Sequence, residues 1–287
     1  MKNILPILTV LAAIIAIWYG AAIKMNSTWT YDQAARAGTE PGFSEVVADT
    51  LAQDRPLLPA PHQVAVELWQ TTVEKKITSK RSLVYHGWIT LSATLLGFAI
   101  GSLAGILLAV GIVHNRAMNL GVMPWAIASQ TIPILAIAPM IIVVLNSMGI
   151  SGLVPKAIIA AYLSFFPVVV GMTKGLRAPD QMQLDLLSTY SASGGQVFWK
   201  LRLPSSMPYL FASLKVGVAA SLVGTIVAEL PSGAVRGLGA RLLSGSYYGQ
   251  TVQIWSALFA AAILAASLVV IVGIIERVTL SRMGMVQ

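Results

Sequence analysis

Between Ser82 and Asn115 the chain carries no aspartate, glutamate, lysine or arginine, and most of the stretch is Leu, Ile, Ala, Val and Gly. The hydrocarbon core of a bilayer is about 30 Å thick and a helix rises about 1.5 Å per residue, so about 20 apolar residues cross it. An uncharged run longer than that constrains the chain to a membrane. Composition agrees: 56% of the 287 residues are hydrophobic, 10% are charged, and mean hydropathy is +0.76, outside the range of a soluble domain.

Other apolar runs follow the same rule, and six spans are expected, which makes the chain an all-α membrane protein. They fall at about 4–23, 88–113, 123–145, 157–173, 207–230 and 252–275. The first follows a single Lys2; its length favours a retained anchor, although Gly20 and Ala22 would suit a signal peptidase. The expected organisation is an anchor at 1–23, an extracytoplasmic segment at 24–85, a core at 86–282 and a short tail at 283–287. The segment 24–85 holds seven bases, seven acids and Pro41, Pro56, Pro59 and Pro61, which no bilayer core accepts. Within it, Val64, Val66, Leu68, Trp69 and Val73 form an amphipathic pattern over 62–76, suited either to the membrane and its spans or to a plain surface helix.

Three features stand out inside the spans. Gly97, Gly101 and Gly105 recur every four residues in the second, a spacing that lets two helix backbones approach closely. Pro133 and Pro139 interrupt the third, where neighbours must satisfy the carbonyls that proline frees. Glu229 is the single acid within a span; it is read as a functional carboxylate or, because Pro231 and Gly233 end the span nearby, as an interfacial one.

Charge and chemistry exclude several classes. The net charge of +8 is dispersed through loops, so it marks membrane flanks and not nucleic acid. There is no cysteine, and His62, His86 and His114 keep no metal-ligand spacing, so they are expected to be interfacial or solvated and no metal site is expected. Outside the spans, one side collects eight bases and three acids. With the long 24–85 segment set aside, the other side has three bases, which places both termini in the cytoplasm.

Against this background, residues 185–204, DLLSTYSASGGQVFWKLRLP, form a polar, helix-capable island on the cytoplasmic side. Leu187, Tyr190, Val197 and Leu201 fall on roughly one face. Two short helices are expected, joined at the SASGG turn of 191–195, where Gly194 and Gly195 supply backbone freedom, with Pro204 stopping the second. The element is either a docking device or an ordinary loop on the membrane surface.

The island resembles the cytoplasmic loop of permease subunits of ATP-binding-cassette importers, whose pattern runs Glu-Ala-Ala, a glycine, and a terminal apolar-Pro pair. Anchored on Leu203 and Pro204, the acidic position falls on Asp185, the alanines on Leu186 and Leu187, and the glycine on Ser191; Ala192, Ser193, Phe198 and Lys200 fit the following positions. TIPILAIAPM at 131–140, FFPVVVGMTKGLRAPD at 165–180, and VAEL and GLGARLL within 227–243 occur in the family's order. The run 86–282 is similar to the nitrate, sulfonate and taurine branch, which includes pyrimidine-precursor and riboflavin permeases.

The resemblance implies a type I importer permease in the bacterial inner membrane, with a coupling helix in the loop at about 174–206. It implies a homodimer, an ATPase subunit dimer that binds ATP and Mg, an extracytoplasmic substrate-binding protein, lipid around the spans, and no catalysis by this chain. The chain itself has no GxxxxGK[ST] phosphate loop. Asp185, Ser191, Ala192, Ser193, Gly194 and Gly195 would meet the ATPase; Lys200 and Arg202 would pair with its acids or flank the bilayer. Gln130, Thr131, Pro133, Asn146 and Glu229 would line the pathway. The alternatives are an ion-gradient-driven secondary transporter, which usually shows internal repeats, and a membrane-embedded enzyme, which needs a nucleophile or metal constellation.

Overall fold

A computed structural model describes residues 4–231 and 236–285 of the chain. Among the described residues every regular element is helical, in the order α1 (Ile4–Ala37), α2 (Phe43–Ala52), α3 (Pro61–Trp69), α4 (Leu83–His114), α5 (Arg116–Ser129), α6 (Ile134–Ser147), α7 (Leu153–Leu176), α8 (Gln181–Thr189), α9 (Gly194–Val197), α10 (Leu203–Glu229), α11 (Leu238–Tyr247) and α12 (Thr251–Arg282). Single π turns follow α3 (Gln70–Glu74) and α9 (Phe198–Arg202). Five helical stretches are long and apolar enough to cross a bilayer, and α5 with α6 supplies a sixth only as a bent pair. Gly233 and the last two residues of the expected tail lie outside the described residues.

The chain divides into two units, Met1–His86 with Ala240–Ala261, and Gly87–Gly239 with Ala262–Gln287. In the first unit α1 runs well beyond the expected end of the anchor at Ile23. Lys24 does not stop it because the next turns bury polar groups that find partners in the same unit. Asn26 is buried; its Nδ2 donates to the Leu58 carbonyl at 2.9 Å and its Oδ1 accepts from the Leu58 amide at 3.1 Å. Thr30 donates to Asp49 at 2.6 Å. The helix ends at Gly38 (φ +68°), with Thr39 N donating to Ala34 O and Gly38 N to Ala35 O, the paired bonds of a left-handed C-terminal cap. Residues 24–85 therefore hold the end of α1 and two further helices, α2 and α3, and α3 with its π turn covers 61–74 of the stretch expected to be an amphipathic helix.

Trp18 fastens this unit: its ring stacks on Phe259 (centroids 5.8 Å apart) and its Nε1 donates to Pro59 O at 3.0 Å. Residues 240–261, assigned to the core by sequence, thus group with the N-terminal segment. Burial pulls the Arg241 guanidinium below its ordinary value and Glu67 opposes that shift; Arg remains charged. His86 is corrected from interfacial to buried, with a ring nitrogen 2.9 Å from the Lys80 carbonyl.

In the second unit α7 is packed between α4 and α10 through small residues. A Cβ added at Gly97, Gly101 or Gly105 would stand 2.7, 2.8 and 2.8 Å from the carbonyl oxygens of Ala157, Ala161 and Phe165 on α7. Gly175 and Gly224 bring α7 and α10 equally close, a Cβ at either lying 2.9 Å from the Cα of Ser206 or Ala160. Without a hydrophobic drive between helices in lipid, such close approach supplies the packing energy. Apolar side chains complete the layers: Ala109, Val168, Met172, Leu176 and Leu210 at one level, Ala138, Ile142, Ile159 and Ala228 at another. Lys215 pairs with Glu276, which joins α10 to α12.

Two expectations change. The third span is not one helix: α5 and α6, 14 residues each, meet at 99° around Gln130–Pro133. Pro133 caps α6, and the Ser129 carbonyl at the break accepts a hydrogen bond from the Tyr162 hydroxyl. Pro204 does not stop the island's second helix. It directly follows the π turn Phe198–Arg202, where the backbone ladder is already shifted, and helix continues from Gly194 to Glu229 over 36 residues.

Candidate functional site

The island folds into two helices that differ in what they touch. α8 is exposed along most of its length, and Met182, Leu186 and Tyr190, four residues apart, form an outward apolar stripe (77%, 56% and 75% exposed). Tyr190 therefore does not share a face with the half-buried Leu187, Val197 and Leu201. Phe198 and Leu203 pack against the Val168, Met172, Leu176 and Leu210 layer, which anchors the second half of the island to the spans. Arg202 donates to the Leu176 carbonyl at 3.0 Å; a guanidinium there satisfies the open C-terminus of α7.

The residues carried over from the family pattern take distinct places. Asp185 is exposed on α8, its carboxylate accepting from Gln181 Nε2 at 2.9 Å. Ser191 has φ +53°, the only positive φ among the described non-glycine residues. Ala192 N donates to Leu187 O and Ser191 N to Ser188 O, so Ser191 occupies the left-handed position closing α8. Glycine is the residue free of penalty there, which gives the family's glycine at this place a backbone reason. Ser193 caps α9: its Oγ accepts from Gln196 N at 3.4 Å, and Gln196 Oε1 accepts from Ser193 N at 2.8 Å in return. Gly194 and Gly195 border open space, and Lys200 is exposed.

At the other end of α10 lies a buried polar node. Glu229 is fully buried. Its Oε1 accepts from Lys156 Nζ at 3.2 Å, Oε2 accepts from Gly239 N at 2.9 Å, and the Thr90 hydroxyl lies 3.1 and 3.0 Å from the two oxygens. Leu238 N donates to Thr90 Oγ1 at 2.9 Å, and Lys156 Nζ also donates to Arg236 O at 3.3 Å. Gly237 has φ +124°, and a Cβ there would overlap the Glu229 carboxylate. Towards the island, Ser221 Oγ donates to Thr94 O at 2.8 Å and Thr94 Oγ1 to Thr225 Oγ1 at 3.1 Å. The interfacial reading of Glu229 is thereby corrected to a buried, ion-paired carboxylate.

The other pathway candidates do not join that node. Gln130, Thr131 and Pro133 are exposed at the α5–α6 break, with Gln130 bonding Ser129 and Thr131 bonding the Ala128 carbonyl. Asn146 is exposed near the end of α6. Sequence reading passed over Lys156 because it sits at the start of a span; as a base facing the spans' single acid it was the available signal. Thr90 and Thr94 carry no signal of their own, since threonine is ordinary in membrane helices.

Residues 101–284 match the family model described as "Binding-protein-dependent transport system inner membrane component". The chain is 30% identical over 221 residues to the riboflavin transport system permease protein RibX of Chloroflexus aurantiacus, covering 77% of this chain and 78% of that protein. It is 32% identical over 184 residues to the formylaminopyrimidine transport permease protein ThiX of Halalkalibacterium halodurans, covering 64% and 68%. Identity to the putative aliphatic sulfonates transport permease protein SsuC of Bacillus subtilis is 23% over 203 residues, covering 71% and 72%.

Proposed function

Since the chain belongs to the family of binding-protein-dependent transport system inner membrane components, we propose a mechanism for its part in transport. It is the multi-pass permease subunit of an ATP-driven importer, acting with ATPase and substrate-binding partners. In our reading two copies pair about a central pathway in the inner membrane, with both termini and the island in the cytoplasm. Each copy docks α8 and the 191–195 turn into a groove of a separate ATPase, which holds ATP and Mg. This chain performs no catalysis; it moves when the ATPase dimer closes, and the pathway opens to the other side.

The observation that supports docking is the α8 stripe of Met182, Leu186 and Tyr190, apolar and exposed on a polar loop. Such side chains gain by entering a protein groove. Gly194 and Gly195, next in the chain, leave room for a backbone to approach. The cargo we favour is a small ring compound of the pyrimidine or flavin kind, because the relatives named for riboflavin and formylaminopyrimidine are closer in identity than the one named for sulfonates.

Reconstitution with the ATPase and the binding protein tests this reading. Uptake that requires ATP and stops with vanadate is expected; uptake driven by an ion gradient without the ATPase would refute it. Gly194→Trp should abolish stimulation of the ATPase while membrane insertion stays intact. A thermal-shift screen of the binding protein against flavins, pyrimidines, sulfonates and nitrate identifies the cargo, and a shift with sulfonates alone overturns the ring-compound assignment.

A further inference from the structure

Helix runs without a break from Gly194 in the island to Glu229 at the buried node. One end of this element is therefore the surface assigned above to the ATPase, and the other is a carboxylate held by α4, α7 and the 236–239 connector. A buried ion pair adds little stability over apolar residues of the same volume, because desolvation offsets the attraction. What it does supply is geometry: charge, donors and acceptors match in one arrangement only. The rungs Ser221–Thr94 and Thr94–Thr225 extend that match along α4 and α10, and the small-residue contacts of α7 with both helices leave no slack between them.

We infer that the Lys156–Glu229 pair, with Thr90, is the positioning lock of the transport cycle. It fixes the far end of α10 to α7, α4 and the connector, so that a displacement at Gly194 moves the three spans as one body. Glu229 then acts through its neighbours and does not line the pathway. The inference rests on the docking reading of the island.

The test uses the full transporter, with permease, ATPase and substrate-binding protein in proteoliposomes, and reads solute imported per ATP hydrolysed. Glu229→Gln retains the oxygen that accepts from Gly239 and Thr90 but loses the charge; Lys156→Met removes the cation. Each is expected to lower the solute-to-ATP ratio at least ten-fold while stimulated hydrolysis changes less than two-fold. The double variant should be no worse than the poorer single. Thr90→Ser should keep the ratio and Thr90→Val lower it about three-fold, a comparison that serves if the charge variants fail to assemble. An unchanged ratio in assembled Glu229→Gln and Lys156→Met overturns the lock, as does an unchanged ratio in Thr90→Val. So does a parallel fall of uptake and hydrolysis, which marks general misfolding. Failure of the wild-type complex to import with ATP would instead remove the docking reading, so the two failures are distinct.

Discussion

Ser191 shows what one residue position contributes. Matching the sequence to the family pattern places the glycine on Ser191, and the pattern alone registers a departure; the backbone explains it, since φ +53° closes α8. A non-glycine residue in the left-handed region carries a penalty of about 1–2 kcal/mol, most severe for a β-branched one. Ser191→Gly should therefore hold the turn at least as firmly as wild type, and Ser191→Val should loosen it by about 1 kcal/mol or more. Limited proteolysis between residues 189 and 194 measures this: cleavage is expected to slow or stay level in the first variant and to accelerate in the second. The exposed places of Asp185 and Gly194 on the island were legible from pattern and composition. Lys156 was not, because a base near a span end reads as an ordinary membrane flank until the fold sets it 3.2 Å from Glu229.

Among the elements, α4 and α7 were the easiest to anticipate as helices and the hardest to pair. The four-residue repeat of Gly97, Gly101 and Gly105 announces a close contact without saying with which helix. The structure supplies α7, where Ala157, Ala160, Ala161 and Ser164 meet the glycine stripe. Gly101→Leu should separate the helices and lower stability by about 1–3 kcal/mol, the usual cost of overfilling a tight contact. A lowered thermal midpoint of the purified permease in detergent, with Leu103→Ala on the exposed side of the same helix as the control, is the expected result. The third span shows the converse. Its apolarity predicts a crossing and its prolines predict a bend, but neither gives the 99° break or the partner 33 residues away, the Tyr162 hydroxyl, that donates to the Ser129 carbonyl there.

For the whole molecule, the proposed pairing of two copies has a direct check. Native mass measurement of the assembled importer should find two copies of this chain per transporter, and one copy beside a different permease would refute the homodimer. Residence in a membrane, the helical class and the approximate spans were determined by sequence alone, because hydropathy is a local property and a bilayer demands it of every crossing segment. Tertiary structure alone decided which polar groups meet. Thr90 and Glu229 are 139 residues apart and Lys156 lies 73 from Glu229; each is buried, and the other two with the 236–239 backbone help to make that burial tolerable. Composition and periodicity describe each helix on its own, whereas the satisfaction of a buried charge is a property of several helices at once.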